Sequence, residues 1–370
     1  MAPKYSTSAL ALWLACLACV TSGSFLKLGI QKGSNDGGVE RSFSGSGSSR
    51  LPSEPRVVIS LTTVPAGVRG LGAVLASLRN QTVAADAIEV NLPGQSSRDL
   101  GKYMIQDLSD VDSTGVSVFR TDDWFALTNL VPTVRRAHLN NKKTLVIVVD
   151  DDKIYPPTLV EDHLRAHRKK PFSASTCRGY KMPPGGDIFR GRLFSAWDEK
   201  RHSIYGYNVI SPQRVAVVTG SDSWSVPSYV FTSRLWDDLR SNASEVAYAA
   251  EMMNDIYASG QLSRLGVPKF VVPCRNHWKD APKTPERQRQ ELNFRWPGER
   301  HKLTSRVMTF FADDWRREEL MTLAELLSNR PAQPPKPSAA TATATPVQRA
   351  GSKALLWAER LASTAAHTLR

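Results

Sequence analysis

The feature that most constrains this chain is a run of five consecutive apolar residues, Leu145 to Val149, that ends directly in three aspartates. A half-exposed strand alternates apolar and polar residues, whereas an unbroken apolar run fits a parallel strand buried on both faces. The run therefore predicts the central strand of a sheet covered by helices on both sides. We expect Asp150, Asp151 and Asp152 at the carboxyl edge of that sheet.

Strand and helix patterns alternate along this part of the chain. Apolar and β-branched runs predict strands, and apolar residues at helical spacing predict helices. The predicted strands are 57–61, 88–92, 116–119 and 145–149, and the predicted helices are 70–79 and 127–138. We interpret this alternation of strands and helices as typical of a doubly wound, mostly parallel α/β sheet with ligands beyond the carboxyl ends of its strands.

The acidic triplet predicts a metal site. Adjacent carboxylates repel one another, and burying them without a counter-charge is costly. Mg²⁺ or Mn²⁺ would relieve that cost, because both prefer hard oxygen ligands and can complete their shells with water and diphosphate. If the extended backbone continues past the strand, Asp150 and Asp152 point to one side and Asp151 to the other. The alternative is a solvated acidic turn.

Five segments, in chain order, carry a family resemblance. They are VVISLTTVPAGVRGLGAVLASLRNQT, AIEVNLP, VIVVDDDKIYPP, GSDSWSVPSYVF and NDIYASGQLSRLGVPKFVVP. Together they resemble a GT-A glycosyltransferase of the family-2-like kind, over residues 56 to 273. The resemblance implies a single GT-A type, Rossmann-like fold. It also implies a metal-dependent transferase that moves a sugar, with inversion, from a nucleotide-sugar donor to a hydroxyl of a glycan, protein or lipid.

The resemblance also assigns residues to the donor site. The loop after the first strand corresponds to the one beside the nucleotide base, and the triplet corresponds to the DxD motif that meets ribose and a metal ion. The implied donor-binding residues are Thr62, Thr63, Pro65, Asp150 and Asp151. The implied ligands of Mn²⁺ or Mg²⁺ are Asp150 and Asp152, with Asp152 as the direct ligand.

Asp255 matches the acidic motif that supplies the catalytic base in these enzymes. The family pattern has two acidic residues there, and this chain has Asn254 in the first place. A base at Asp255, a helix cap at Asp255 and a contribution from Glu251 remain alternatives. His277, just beyond the matched region, is interpreted either as a third metal ligand or as a surface or core histidine.

Two further departures concern the diphosphate and the acceptor. Asn129 stands where relatives often carry a basic residue, so we expect Lys153 or Arg275 to offset the charge of the leaving diphosphate. Relatives tend to have a glycine pair before the aromatic residue, where this chain has Gly220-Ser221-Asp222-Ser223-Trp224. Asp222 and Trp224 are therefore interpreted as reshaping the acceptor site, with core packing as the alternative for Trp224.

The chain divides into four predicted segments. Residues 1–26 hold an uncharged apolar stretch, interpreted either as a cleaved signal peptide or as a single-pass signal anchor. Residues 27–55 form a Gly/Ser-rich stem, 56–328 the catalytic domain, and 329–370 a low-complexity linker with a helical pattern at its end. The predicted location of the catalytic domain is the lumen of the Golgi or the endoplasmic reticulum.

The cysteines outside the N-terminal segment are Cys177 and Cys274. A disulfide between them fits an oxidising lumen, and two reduced buried cysteines are the alternative. The net charge of +13 is spread along the chain without an aromatic-interleaved basic motif, so we expect no nucleic-acid partner.

Two other functions fit parts of the sequence. A catalytically inactive nucleotide-sugar or glycan-binding protein could keep the same fold, and Asn254 favours it. A phosphotransferase of the haloacid-dehalogenase type also has aspartates after an apolar strand. Its motif continues with a small residue and Thr or Val, whereas this chain continues with Lys153 and Ile154.

The N-terminal segment generates a prediction about location. Because an uncharged stretch is followed by a flexible stem, we expect residues 56–328 to be translocated into microsomes. The catalytic domain should then resist added protease until detergent opens the vesicles. Digestion of the domain in intact vesicles would contradict the prediction.

Overall fold

A sheet of eight strands runs through the molecule in the order β3-β2-β1-β4-β11-β6-β12-β9. The computed structural model describes residues 54–95, 103, 115–140, 143–181, 201–241, 252–291 and 299–328. The first four strands in the sheet are parallel to one another: β1 (Arg56–Leu61), β2 (Ala87–Pro93), β3 (Val116–Thr121) and β4 (Thr144–Val148). Every residue of β4 is buried, as its unbroken apolar sequence predicts.

The other half of the sheet is mixed. Its strands are β6 (Ala174–Thr176), β9 (Gln213–Arg214), β11 (Trp224–Pro227) and β12 (Lys269–Val271). β11 is antiparallel to both β4 and β6, β6 is parallel to β12, and β12 is antiparallel to β9. Two small sheets consist of β10 (Val217–Val218), β7 (Arg178–Tyr180) and β8 (Ser203–Tyr205), and of β13 (Lys279–Asp280) with β5 (Lys153–Ile154).

Helices cover both faces of the sheet. They are α1 (Leu71–Arg79), α2 (Val131–Leu139), α3 (Leu159–Lys169), α4 (Arg234–Ser241), α5 (Asn254–Arg264), α6 (Pro285–Gln290), α7 (Glu299–Phe310) and α8 (Ala312–Ser328). On one face, Ile147 of β4 belongs to an apolar core with α1 and α3. On the other face, Val146 and Val148 belong to a core with α2, α5 and α7. The predicted doubly wound, Rossmann-like α/β architecture is confirmed.

The predicted helix at 127–138 needs one correction. A short 3-10 helix covers Phe125–Asn129, and α2 begins only at Val131. Pro132 lies in the first turn of α2, where its missing N–H is not needed and its fixed φ suits the helix. The proline therefore starts a new helix instead of continuing the preceding one.

Cys177 and Cys274 form a disulfide with a Cα–Cα distance of 5.7 Å. The two cysteines follow β6 and β12, whose parallel pairing brings their carboxyl ends side by side. The sequence alone did not distinguish this disulfide from two reduced cysteines.

Three predicted segments lie wholly or largely outside the described residues: 1–26, 27–55 apart from its last two residues, and 329–370. No helix in the described ranges is long and apolar enough to cross a membrane.

Gly260 of α5 packs closely against Phe311, the residue before α8, and this contact gives a stability prediction. A Cβ added at Gly260 would lie 2.2 Å from the fully buried ring of Phe311, so Gly260→Ala should lower the free energy of unfolding by about 1–3 kcal/mol. Gly72, exposed in α1 with nothing within 4 Å of an added Cβ, is the matched control. Gly72→Ala should raise that free energy by about 0.4–1 kcal/mol. Urea unfolding of the two variants checks both signs, and equal effects would contradict the packing.

Candidate active site

The two strands at the centre of the parallel half mark where a ligand would bind. β1 pairs with β2 on one side and with β4 on the other, so the direction of winding reverses between β1 and β4. At such a switch point the loops leave in opposite directions and open a crevice beyond the carboxyl ends of the strands. Here the crevice receives the loop after β1, with Thr62 and Thr63, and the acidic triplet after β4.

A cavity of about 470 Å³ occupies this crevice. Most residues that the sequence assigned to the site line it: Thr62, Thr63, Asp150, Asp151, Asp152 and Asp255. Pro65, also assigned to the donor site by the sequence, does not line this cavity. It begins a 3-10 helix, Pro65–Gly70, which carries the chain to a neighbouring cavity of about 450 Å³.

The triplet does not continue the extended geometry of β4. The strand ends at Val148, and Asp151 and Asp152 lie in a turn. The alternation that would have turned Asp151 away from its neighbours is therefore absent, and all three aspartates line the cavity. The N–H of Asp150 donates to the Tyr155 hydroxyl at 2.7 Å, which fixes the start of the turn.

The carboxylates of Asp150 and Asp255 both lie close to Gly220. The Gly220 N–H donates to Asp255 Oδ2 at 2.7 Å. A Cβ at Gly220 would lie 3.0 Å from Asp255 Oδ1 and 3.3 Å from Asp150 Oδ1, so a glycine leaves room for both carboxylates. Burial raises the pKa of Asp150 well above its usual range, and the charges of Asp152, Asp255 and Asp151 raise it further.

Asp255 lies in the first turn of α5 but is not its cap. Met253 occupies the N-cap position, and no side chain there bonds the helix N-terminus. The Asp255 carboxylate instead reaches across to Gly220. Asn254 donates from Nδ2 to the Ala126 carbonyl at 3.3 Å, and Glu251 lies outside the described residues.

Two basic residues that the sequence analysis missed face the triplet. Lys283 Nζ lies 2.7 Å from Asp152 Oδ2, and Arg287 Nη2 lies 2.6 Å from Asp151 Oδ1. Burial lowers the pKa of Lys283, but hydrogen bonds to Asp152 and Glu291 outweigh it, so the pKa is raised and the ammonium stays charged.

The segment that carries them lies between the two cavities. Lys283 and Arg287, with Gln290, line both cavities. Gln290 Oε1 accepts from the Ala66 N–H at 3.1 Å and holds the end of α6 against the loop after β1. A Cβ at Gly67 would lie 2.3 Å from Arg287 Nη1, so this glycine lets the guanidinium pass.

Of the two expected counter-charges, only Lys153 borders the site. Its Nζ lies 3.7 Å from Asp152 Oδ1. Arg275 instead pairs with Asp162 and Glu161, and it does not line the cavity. The i, i+4 spacing of Lys283 and Arg287 was visible in the sequence, but nothing there indicated that they would fold back onto the triplet.

Three other candidate residues differ in whether they line the cavity. Asn129 is buried and lines the cavity, and its carbonyl accepts from Ser60 Oγ at 2.6 Å. Trp224 is fully buried in the core, which confirms the packing alternative. His277 is exposed and does not line the cavity, so it is a surface histidine in this structure.

The donor set fits a hard divalent cation. In the described ranges, no three His, Cys, Asp or Glu side chains are grouped to hold a metal by themselves. Mg²⁺ and Mn²⁺ sites that also bind phosphate need only one or two carboxylates. The pKa of Asp150 is raised first by burial and then by the neighbouring charges of Asp152, Asp255 and Asp151, and a cation held by Asp150 and Asp152 would favour the ionised carboxylates.

The comparisons with known proteins find similarity among solved structures. No protein-family model matches the sequence, and no curated protein sequence matches it. Among solved structures, the chain is similar to mannosyltransferase PcManGT from Pyrobaculum calidifontis in complex with GDP-Man and Mn²⁺, at 15% identity and a TM-score of 0.38. The match covers 86% of this chain and 82% of that chain. These values are too low to establish a function, which rests on the geometry of the cavity.

Proposed function

We propose that this protein is a metal-dependent GT-A glycosyltransferase that moves a sugar from a nucleotide-sugar donor to an acceptor hydroxyl, with inversion. One observation carries the proposal: the carboxylates after β4 and Asp255 of α5 meet in one cavity at the switch point of a doubly wound sheet. Charged groups that are distant in sequence converge there, as expected of a functional site.

The donor would bind across the carboxyl ends of β1 and β4. Thr62 and Thr63 would lie beside the nucleotide base, and Asp150 and Asp151 beside the ribose. Asp150 and Asp152 would hold Mn²⁺ or Mg²⁺. When bound, such an ion neutralises charge on the donor diphosphate and makes it a better leaving group.

Lys283 and Arg287 would change partners when the donor binds. Without it, they balance the charges of Asp152 and Asp151. A cation at the triplet would take over that balance, and both basic side chains could then donate to phosphate oxygens. Lys283 and Arg287 would thus supply the positive charge that Asn129 lacks. Their hydrogen bonds to the leaving diphosphate would strengthen as its charge develops.

Asp255 is the proposed base. The acceptor oxygen would bond to the anomeric carbon while the bond from that carbon to the diphosphate oxygen breaks. The hydroxyl proton would pass to the Asp255 carboxylate. The hydrogen bond from the Gly220 N–H to Oδ2 fixes the orientation of this carboxylate.

Binding without transfer is the second candidate, and Asn254 favours it. An active transferase releases some donor sugar to water, whereas a pure binding protein does not. Hydrolysis of a panel of nucleotide sugars with Mn²⁺ separates the two functions.

We also propose that the protein works in the secretory pathway, in the Golgi or endoplasmic reticulum lumen. The Cys177–Cys274 disulfide supports this, because such bonds persist in oxidising compartments.

The metal proposal predicts the effect of Asp152→Asn. The change removes a charged oxygen ligand, so Mn²⁺ should no longer raise donor affinity. A thermal-shift screen of UDP-, GDP- and CMP-sugars selects the donor, and calorimetry with and without Mn²⁺ measures the affinity. Asp313→Asn, at an exposed acid paired with Arg316, is the control and should behave as wild type. If Mn²⁺ raised the donor affinity of Asp152→Asn as it does that of the wild type, the proposed metal site would be contradicted.

The base proposal predicts the effect of Asp255→Asn. An amide oxygen can still accept from Gly220, so the fold and donor affinity should remain nearly unchanged. Turnover should fall by roughly two to four orders of magnitude, because no carboxylate takes the proton. Transfer rate and donor affinity are measured side by side on the one variant. Near-normal turnover would move the search for the base to Glu251 or Asp222.

A further inference from the structure

Four aromatic side chains form a continuous row on the surface beside the candidate active site. The ring centroids of Tyr205 and Tyr207 lie 5.4 Å apart, those of Tyr207 and His277 5.1 Å, and those of His277 and Trp278 4.7 Å. Tyr207 is 49% exposed and His277 is also exposed. We call these four residues the aromatic row.

One end of the aromatic row lines the main cavity, and the other end contacts a residue that lines it. Trp278 lines that cavity, and Lys153 Nζ lies 4.0 Å from its ring centroid. At the other end, Arg178 also lines the cavity, and its Cζ lies 5.1 Å from the centroid of the Tyr205 ring. The row is thus continuous with the proposed donor site.

A buried carboxylate faces the middle of the row. Asp222, Tyr207, His277 and Trp278 line one small depression. Asp222 is only 5% exposed, and its Oδ1 accepts no hydrogen bond from the described residues. Burial also raises the pKa of Asp222. Buried carboxylate oxygens are normally hydrogen-bonded, so this one is suited to a donor brought by a ligand.

The disulfide holds the two halves of the row together. Tyr205 and Tyr207 flank Gly206, whose N–H donates to the Cys177 carbonyl at 2.6 Å and whose carbonyl accepts from the Cys274 N–H at 3.2 Å. A Cβ at Gly206 would lie 2.6 Å from the Val272 carbonyl oxygen, so the chain must approach closely here. The rings are therefore held in place before a ligand arrives, which lowers the entropic cost of binding.

We propose that the aromatic row and Asp222 form an acceptor subsite for a neutral pyranose sugar, so that the acceptor is a glycan or glycoside. This rests on the proposed transferase function. A pyranose has an apolar C–H face that packs on aromatic rings and a rim of hydroxyls that can donate to a carboxylate. Asp222 lies two residues after Gly220, whose N–H binds the proposed base, so a sugar on the row lies near that base.

The experiment is saturation-transfer NMR on the full chain with Mn²⁺. The probes are methyl glycosides of glucose, galactose, mannose, xylose and N-acetylglucosamine. At least one should receive saturation on its ring C–H protons. Tyr207→Ala should weaken its binding about tenfold, since loss of a stacked ring removes roughly 1.4 kcal/mol. Asp222→Asn should weaken it as well.

Tyr229→Ala is the matched control. Tyr229 is 38% exposed and pairs edge-on with Phe172 at a centroid distance of 5.8 Å, away from the cavity. This variant should bind the glycoside like wild type. No binding by any probe, or equal binding by wild type and Tyr207→Ala, would overturn the subsite. Binding of an oligothymidylate that Tyr207→Ala abolishes, without glycoside binding, would also overturn it and make the row a base-stacking surface.

Donor affinity is measured in parallel by calorimetry. Tyr207→Ala should leave it unchanged, because Tyr207 does not line the main cavity. Donor binding without glycoside binding would overturn the subsite and leave the proposed transferase standing. Glycoside binding at the row without any donor binding would instead overturn the transferase.

Discussion

β4 is buried on both faces, and the alternation of its side chains ties together the two halves of the core. Ile147 packs with α1 and α3, and Val146 and Val148 pack with α2, α5 and α7. Four consecutive apolar residues in one strand, Leu145 to Val148, place apolar side chains on both faces of the sheet, so helices must cover both sides. The end of the strand fixes where the acidic triplet lies.

The three adjacent aspartates repel one another at this edge of the sheet. One form of charge compensation is present in the structure, and another is part of the proposed donor complex. In the structure, Lys283 and Arg287 compensate Asp152 and Asp151, while Asp150 is partly buried and its pKa is raised. In the proposed donor complex, a cation would compensate the aspartates and release the two basic side chains to the diphosphate. The same basic residues would thus stabilise the aspartates in the absence of a donor and assist the reaction in its presence.

Close backbone approach connects the proposed donor and acceptor sides. Gly220 leaves room for the carboxylates of Asp150 and Asp255 and donates a hydrogen bond to the latter, and the 3-10 helix that begins at Gly220 ends at Asp222. Gly206 likewise allows close approach, because its backbone hydrogen-bonds to both disulfide-bonded cysteines between the two tyrosines of the aromatic row. Both glycines lack a Cβ where a side chain would collide with functional or structural groups.

The sequence by itself determined the parallel half of the sheet and its burial on both faces, because apolar periodicity is a local signal. Asp255 was assigned to the site of the triplet only by the family resemblance. Other features depended on tertiary structure. The fold-back of Lys283 and Arg287 onto the triplet, and the exclusion of Pro65 from the main cavity, result from turns whose direction no local pattern encodes. The disulfide was decided by the parallel pairing of β6 with β12, two short strands whose first residues, Ala174 and Lys269, are 95 positions apart in the sequence. Only the folded chain brings such distant residues to one edge of the sheet.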